Sequence, residues 1–428
     1  MRLVSTRTST LGSTFLEAVQ AGLAPDGGLF VPTEIPRWPD IPELLALDFP
    51  TRSAEVLRRL LGDEIPQPRL EALVRAAFPF PAPVVPVSED LAALELWHGP
   101  TLAFKDFGAR FLAQVLAHTE AGPRRTVLTA TSGDTGAAVA SAFLGLPGLQ
   151  VVVLYPQGRV SPLQERQFAT CGGNVLALAV EGAFDDCQRL VKGAFEDGAL
   201  AQGLALTSAN SINIARLLAQ TLYYFEVCAQ CGPERPLVVS VPSGNFGNLY
   251  AGLLAQRLGA PIHAFVAATN ANRVVPDYLE TGAYHPRPSV PTCSNAMDVG
   301  APSNWERIHA LFGGEHGAMA AALRWGSCTD AETRETLAAL DRAGYLADPH
   351  GAVACRVLQS RLQPGERGVF LATAHPAKFR EVLTPVLGRE IPLPPALADL
   401  LDRPLLSEPL AADPAALKRR LEGLRAPS

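Results

Sequence analysis

The sequence predicts a doubly wound α/β fold with parallel sheets. Apolar segments such as residues 126–130 and 151–155 are typical of strands that are buried on both faces of a parallel sheet. Between them lie a glycine turn at residues 131–136 and a helix-like run at residues 137–143, which completes a strand-helix-strand unit. The 428 residues, 48% of them hydrophobic, suffice for two or three domains. Further apolar segments predict strands at residues 175–180, 237–241, 263–268 and 369–372, and helices at 214–225 and 249–258.

The first part of the chain is predicted to form a separate N-terminal unit. It contains a helix-like run at residues 15–19 and a short strand at residues 29–31, which follows a glycine turn. The proline-rich run at residues 79–86 cannot carry a helix across, so we interpret it as a linker. The predicted division is therefore an N-terminal unit at residues 1–85, a catalytic region of two α/β subdomains at residues 86–385, and a C-terminal segment at residues 386–428.

Composition excludes several classes of partner. The formal net charge is −6, and the basic cluster at residues 418–420 is too small to indicate nucleic acid or an anionic membrane surface. Residues 1–10 lack the apolar core of a signal peptide, and no apolar run reaches the roughly 18 residues of a membrane span. We therefore expect a cytoplasmic protein that binds neither nucleic acid nor membrane.

The seven cysteines are scattered and odd in number, which does not indicate a disulfide framework. Cys228 and Cys231 have the spacing of metal ligands, but no second pair or nearby histidine completes a site. Packing at a helix end is the better interpretation, and we expect no bound metal.

Lysine is rare in this chain, and one lysine has an unusual setting. Lys105 lies among Ala103, Phe104 and Phe107, and desolvation lowers the pKa of an ammonium from about 10.4 towards the range of a nucleophile or base. Apolar residues at helical spacing after Lys105 predict that it begins a helix. The alternative is an ordinary lysine whose stem covers apolar surface. Only four of the 36 Lys and Arg residues are lysines, at positions 105, 192, 378 and 418.

Two glycine turns at predicted strand ends are candidate anion sites. Residues 242–248 precede a helix, so backbone N–H groups and the helix dipole can converge on a phosphate there. Residues 132–136 form a second loop, which can hold a carboxylate or a second phosphate. Either turn alone is more readily explained as structural, and neither is a Gly-Lys-Ser/Thr nucleotide loop. Together with a helix-start lysine and no metal motif, however, they indicate pyridoxal phosphate chemistry.

Six ordered motifs make the chain resemble the threonine synthases, a family of fold-type II pyridoxal phosphate enzymes. The resemblance runs from about residue 15 to residue 380 and includes the N-terminal run at residues 22–30. It implies a tryptophan synthase beta-like fold and pyridoxal 5'-phosphate as the cofactor. The motifs are HGPTLAFKD at residues 98–106, TSGDTG at 131–136, NSINIAR at 210–216, SGNFGN at 243–248, SNAMDV at 294–299 and TAHPAKF at 373–379.

The resemblance also implies roles for the cofactor-binding residues. Lys105 would form the Schiff base and, once released by substrate, would move protons at the alpha and beta carbons. Thr373 would face the pyridine nitrogen, although a strand-end hydroxyl bonded to the backbone is the alternative. The cofactor phosphate would be bound largely through backbone amides by Gly244, Asn245, Phe246, Gly247 and Asn248.

The implied substrate is O-phosphohomoserine, which a carbon-oxygen lyase acting on phosphate would convert with water to L-threonine and phosphate. Ser132, Asp134 and Thr135 match the loop that takes the substrate carboxylate. Because an aspartate is unfavourable beside an anion, Asp134 is expected instead to orient the loop or cap the next helix. Four residues are candidate ligands of the substrate phosphate, with surface or packing roles as the alternatives: Arg159, Lys378, Ser211 and Asn213. His98 and His375 are possible hydrogen-bond partners, with a structural role as the alternative.

Other functions remain open at this stage. A threonine or serine dehydratase of the same fold, or a phospho-lyase that stops before water addition, would share most of these residues. A non-catalytic relative that binds metabolites is the alternative from another class. The oligomeric state is expected to be monomer or homodimer.

Overall fold

The computed structural model describes residues 1–10, 12–119 and 125–424, so the last four residues of the predicted C-terminal segment lie outside the described ranges. The strands are β1 Arg2–Ser5, β2 Gly12–Thr14, β3 Phe30–Pro32, β4 Val84–Pro86, β5 Leu91–Glu95, β6 Arg125–Ala130, β7 Leu149–Pro156, β8 Val175–Glu181, β9 Thr207–Ser208, β10 Leu237–Pro242, β11 Ala264–Thr269, β12 Leu323–Ser327, β13 Arg367–Ala372 and β14 Glu408–Ala411. The helices are α1 Phe15–Ala21, α2 Ile41–Leu45, α3 Phe49–Leu61, α4 Gln67–Ala77, α5 Lys105–His118, α6 Asp134–Phe143, α7 Pro162–Ala169, α8 Phe184–Glu196, α9 Gly198–Gly203, α10 Ile214–Cys231, α11 Gly247–Leu258, α12 Val274–Thr281, α13 Trp305–Leu311, α14 His316–Ala322, α15 Asp330–Arg342, α16 Pro349–Arg361, α17 Arg380–Leu387, α18 Pro395–Ala398 and α19 Pro414–Glu422. Short 3-10 turns lie at Gly62–Glu64, Asn295–Met297 and Pro376–Phe379.

The N-terminal part consists of a small antiparallel sheet and helices α1 to α4. The sheet has the strand order β2-β1-β3. Helix α1 begins with a reciprocal cap, in which Thr14 accepts from the backbone of Glu17 and Glu17 accepts from the backbone of Thr14. The sequence predicted this helix and the strand β3.

The larger of the two remaining sheets has six strands. Its order is β12-β11-β10-β13-β5-β4, and every pairing is parallel except that of β4 with β5. The predicted strands at residues 237–241, 263–268 and 369–372 are β10, β11 and β13. Strand β4 lies within the proline-rich run that we interpreted as a linker, so that run adds an edge strand, where proline is tolerated.

The other sheet has five parallel strands, in the order β14-β8-β7-β6-β9. Strand β7 is buried along its whole length, as the unbroken apolar segment predicted. Strand β14 comes from the end of the chain and pairs with β8. The predicted division at residues 85 and 385 stays a prediction, and strand pairing crosses the second boundary.

The two sheets, each with helices packed on it, confirm the doubly wound α/β class. Ligands of such folds bind beyond the carboxyl ends of the strands. The loops there follow β5, β6, β10 and β13, and they contain four of the six motifs. Among the described residues, no helix combines the length and apolar character needed to cross a membrane.

Candidate active site

Lys105 is the first residue of α5, as predicted, and follows the loop after β5. The pKa of the Lys105 amine is lowered to about 8, chiefly by burial; Asp134 acts to raise it, and the positive charges of Arg216 and Lys378 act in the same direction as burial. The residue keeps some accessible surface. An amine of this kind is partly neutral near pH 7 and can attack a carbonyl.

Backbone hydrogen bonds join the lysine loop to the strand end at Thr373. Phe104, which precedes Lys105, donates its N–H to the Thr373 carbonyl at 2.8 Å, and His375 donates to the Leu102 carbonyl at 3.0 Å. Leu102 has a φ of 57°, a left-handed conformation that is unfavourable for leucine and persists only where its surroundings hold it. The structure therefore places Thr373 beside Lys105, on the loop after β13.

The second glycine turn is shaped to let backbone groups approach an anion. Phe246 has a φ of 60° and precedes α11, which begins at Gly247, while Asn245 is exposed. A Cβ atom on Gly244 would lie 2.9 Å from the Met297 Cα and 3.0 Å from the Ala296 carbonyl oxygen, so only glycine fits. The first N–H groups of α11 are thus available to a phosphate.

Asn248 offers a free donor at the same helix end. Its side-chain oxygen accepts hydrogen bonds from the hydroxyls of Tyr223 at 2.5 Å and Tyr224 at 2.7 Å, which fixes the orientation of the amide. Its Nδ2 is buried and has no hydrogen-bond partner among the described residues. A buried orphan donor next to a glycine turn indicates a polar ligand.

Hydrogen bonds to the preceding residue, Thr131, stabilise the Ser132–Gly136 loop. Thr131 Oγ1 accepts from the backbone N–H groups of Gly133 at 3.0 Å and Gly136 at 2.8 Å. Ser132 is exposed and Thr135 is half-buried, so both hydroxyls are available. The loop can therefore present hydroxyls to a carboxylate.

Asp134 does not cap α6. It is the first residue of that helix, and its carboxylate lies 2.6 Å from Lys378 Nζ and accepts from Gln164 Nε2 at 2.9 Å. Burial acts to raise the pKa of Asp134, but the positive charges of Lys378 and Lys105 outweigh it and lower the pKa to about 2. Asp134 is therefore ionised and compensated by Lys378, which also donates to the Thr101 carbonyl at 2.9 Å.

Arg216 is a buried cation that the sequence analysis did not select. Its NH1 donates to the Ala209 carbonyl at 2.6 Å. Among the described residues, its Nε has no hydrogen-bond partner and no ion pair includes it. Burial lowers the pKa of Arg216 to about 10, so it stays charged at neutral pH. One signal was present: Arg216 and Glu226 are the charged residues of the 18-residue helix α10.

The other three predicted phosphate ligands occupy different settings. Ser211 accepts a hydrogen bond from Asn304 at 3.2 Å, close to the start of α10. Asn213 caps α10 and donates both amide hydrogens to backbone carbonyls, which favours the packing interpretation of this residue. Arg159 is exposed in the turn after β7, and no described hydrogen bond or ion pair joins it to Lys105, Asp134 or Lys378.

Both histidines have local partners near Thr373. His98 stacks on Trp97 and bonds to Glu95 at 2.8 Å, while His375 accepts from the Ala377 N–H at 3.1 Å. Burial lowers the pKa of His375, and the nearby Lys378 acts in the same direction. These contacts favour the structural interpretation of both residues.

Pyridoxal phosphate fits these residues. A partly neutral lysine is available for its aldehyde, a glycine turn at a helix start for its phosphate, and the orphan Nδ2 of Asn248 for a polar group. Among the described residues, no group of three or more His, Cys, Asp or Glu side chains is placed to hold a metal ion, and Cys228 and Cys231 are buried in α10.

Comparison with known proteins agrees with this geometry. The family model for pyridoxal-phosphate dependent enzymes matches residues 83–374, so fold and site define an enzyme of fold type II. Two further models, for the threonine synthase N terminus and the threonine synthase C-terminal region, match residues 2–78 and 351–420. The chain belongs to the threonine synthase family.

Individual relatives support the assignment over the full length. The chain is 52% identical to the threonine synthase of Escherichia coli (strain K12), across 98% of this chain and 99% of that protein. The crystal structure of the E. coli threonine synthase matches with a TM-score of 0.95, covering 99% of this chain and 100% of that one. The PLP-bound threonine synthase of Brucella melitensis matches with a TM-score of 0.94 at 37% identity, covering 100% of both chains.

Proposed function

We propose that the protein converts O-phospho-L-homoserine and water to L-threonine and phosphate. Phosphate leaves from the gamma carbon and water adds at the beta carbon. The observation that carries the proposal is the Lys105 amine, buried at a helix start and joined through Phe104 to Thr373, in a chain whose relatives are threonine synthases along its whole length. The substrate is a small molecule.

Residues of two loops hold the cofactor in this proposal. Pyridoxal phosphate, when bound, supplies an electron sink for negative charge next to the substrate amino group. The backbone of Gly244, Asn245, Phe246 and Gly247 binds its phosphate, and the orphan amide of Asn248 donates to it. The Thr373 hydroxyl faces the pyridine nitrogen.

Lys105 is the general acid-base group in this proposal. Its amine binds the cofactor aldehyde and, once substrate has displaced it, takes and returns protons at the alpha and beta carbons. A pKa of about 8 allows the amine to accept a proton and give it up near neutral pH. An exposed lysine, with its pKa near 10.4, would be a poor acid-base group there.

Two separate regions of the site bind the two anionic groups of the substrate, its carboxylate and its phosphate. Ser132 and Thr135 bind the carboxylate with hydroxyls and backbone amides. Arg216 binds the phosphate, supported by Ser211, because its Nε is a buried donor that no described residue engages. Lys378 is engaged by Asp134 and Thr101, which leaves it less suited to a leaving phosphate.

The test is product analysis with the purified protein and O-phospho-L-homoserine. Threonine and phosphate in equal amounts support the proposal, whereas 2-oxobutanoate would assign a dehydratase. Lys105→Ala should both lower turnover by at least about 10³-fold and remove the absorbance band of the bound cofactor. A Lys105→Ala variant that makes threonine at the normal rate would overturn the proposal.

We also propose a cytoplasmic monomer or homodimer that binds no nucleic acid. The small basic cluster supports the last point, because Lys418 pairs with Asp197 and Arg420 with Glu408. Light scattering of the purified chain measures the oligomeric state.

A further inference from the structure

A buried ion pair connects the two sheets next to Lys105. Lys378 lies in the 3-10 turn after β13 of the six-stranded sheet, and Asp134 begins α6 after β6 of the five-stranded sheet. Their charged atoms are 2.6 Å apart, and the side chains are 0% and 5% exposed.

The pair is part of a wider set of hydrogen bonds around the lysine loop. Lys378 donates to the Thr101 carbonyl at 2.9 Å, and Gln167 donates to the same oxygen at 3.0 Å. Gln164 donates to Asp134 at 2.9 Å. These bonds hold the segment that leads to Lys105 against the loop that is proposed to bind the substrate carboxylate.

Stability alone is a weak reason for such a pair. The desolvation of two buried charges commonly cancels their attraction, and apolar replacements of a buried pair are often neutral or stabilising. A pair buried beside a reactive amine therefore indicates a role in the charge balance of the site.

Few charged groups among the described residues act on the Lys105 amine. They are the anion Asp134 and the cations Arg216 and Lys378. Asp106 and His375 face Lys378 in turn. Without Lys378, the carboxylate of Asp134 would repel an incoming substrate carboxylate. Without Asp134, the positive charges of Lys105, Arg216 and Lys378 would repel one another.

We propose that Asp134 and Lys378 are positioning residues that act as one compensated pair. Asp134 stabilises positive charge on the Lys105 nitrogen, and Lys378 offsets Asp134 so that the Ser132–Thr135 loop accepts a carboxylate. The inference rests on the proposed function, since it concerns the lysine and the carboxylate loop assigned there.

The experiment compares Asp134→Asn, Lys378→Met and the double variant as holoenzymes. The readout is the pH titration of the cofactor absorbance band, which reports the protonation of the nitrogen that Lys105 contributes. We expect the titration midpoint to fall by about one pH unit in Asp134→Asn, to rise by a similar amount in Lys378→Met, and to return close to wild type in the double variant. The KM for substrate should rise about tenfold in Lys378→Met, with less effect in the double variant.

A matched control pair lies on the surface. Lys418 and Asp197 are also 2.6 Å apart, and changing them to Met and Asn should leave the titration and KM unchanged. Shifts of both single variants in the same direction, or no shift in variants that carry cofactor, would overturn the inference. Asn is nearly isosteric with Asp, so Asp134→Asn alone decides the sign if Lys378→Met fails to fold. A wild-type protein without an absorbance band would instead overturn the proposed function.

Discussion

Arg307 Nε donates a 3.0 Å hydrogen bond to the carbonyl oxygen of Phe30 and so connects helix α13 to the N-terminal sheet. The same guanidinium donates to the Ile212 carbonyl at 2.6 Å and to the Asn304 side chain at 2.6 Å. Asn304 in turn donates its N–H to the Asn245 carbonyl at 3.1 Å. One buried cation thus connects the N-terminal sheet, the loop before α10 and the glycine turn at α11.

We predict that Arg307→Met lowers the free energy of unfolding by about 3 kcal/mol, because several buried carbonyl oxygens lose their donor. Urea unfolding followed by circular dichroism measures this change. Arg75→Met is the control, since Arg75 is 64% exposed and its loss should change stability by no more than about 0.5 kcal/mol. Equal effects of the two substitutions would contradict the connecting role of Arg307.

The sequence predicted the elements that depend on local pattern, and missed those that depend on distant partners. The helix start at Lys105 and the buried strand β7 follow from apolar spacing alone. The Asp134–Lys378 pair joins residues from two sheets, and no local pattern reports it. Strand β14 was missed because it is short, contains Pro409 and is recognisable only from its pairing with β8.

Local pattern likewise limits what could be predicted of the site. Asn213 was selected by its motif, yet its amide hydrogens are used to hold backbone at the start of α10. Arg216 ends the motif at residues 210–216 but was not selected as a site residue. Its significance lies in burial without an anionic partner in the described part of the chain, which only tertiary structure reveals.

A second prediction concerns the pH dependence of cofactor incorporation. Only the neutral form of the Lys105 amine attacks an aldehyde, and burial lowers the pKa of this amine to about 8. The rate of cofactor uptake by the cofactor-free protein should therefore rise with pH up to about 8 and level off above it. Absorbance after rapid mixing measures the rate. A rate that still rises tenfold per pH unit above about pH 9 would show an unshifted lysine.

A third prediction concerns Gly244, which packs against the backbone of Ala296 and Met297. Gly244→Ala should weaken cofactor binding at least about tenfold, because neither neighbouring backbone atom can give way to a Cβ without moving the turn. Fluorescence titration with pyridoxal phosphate measures the affinity. Gly193→Ala, in α8, is the matched control, since a Cβ there has no heavy atom within 4 Å. Loss of affinity in both variants would indicate a general effect on folding.

The last prediction follows from the buried carboxyl of Asp106, which accepts hydrogen bonds from the Thr101 N–H at 2.9 Å and the Thr101 hydroxyl at 2.7 Å. Burial nevertheless raises the pKa of Asp106 to about 6, since it outweighs those bonds and the charges of Lys378 and Arg110. Between its unfolded pKa and about pH 6, the folded chain holds a proton that the unfolded chain has released. The contribution of Asp106 to stability is therefore present at low pH and is lost as pH rises through that window.

Asp106→Asn removes this titration while keeping the shape of the protonated carboxyl. Relative to wild type, the variant should gain about 2 to 3 kcal/mol of stability between about pH 4 and about pH 7, because a two-unit pKa shift corresponds to that free energy. Urea unfolding of both proteins across this range gives the difference, in which titrations shared by the two proteins cancel. A difference that stays constant with pH would mean that the Asp106 carboxylate is fully stabilised by its hydrogen bonds. A difference that changes in the opposite sense would mean that those bonds and the neighbouring cations outweigh burial.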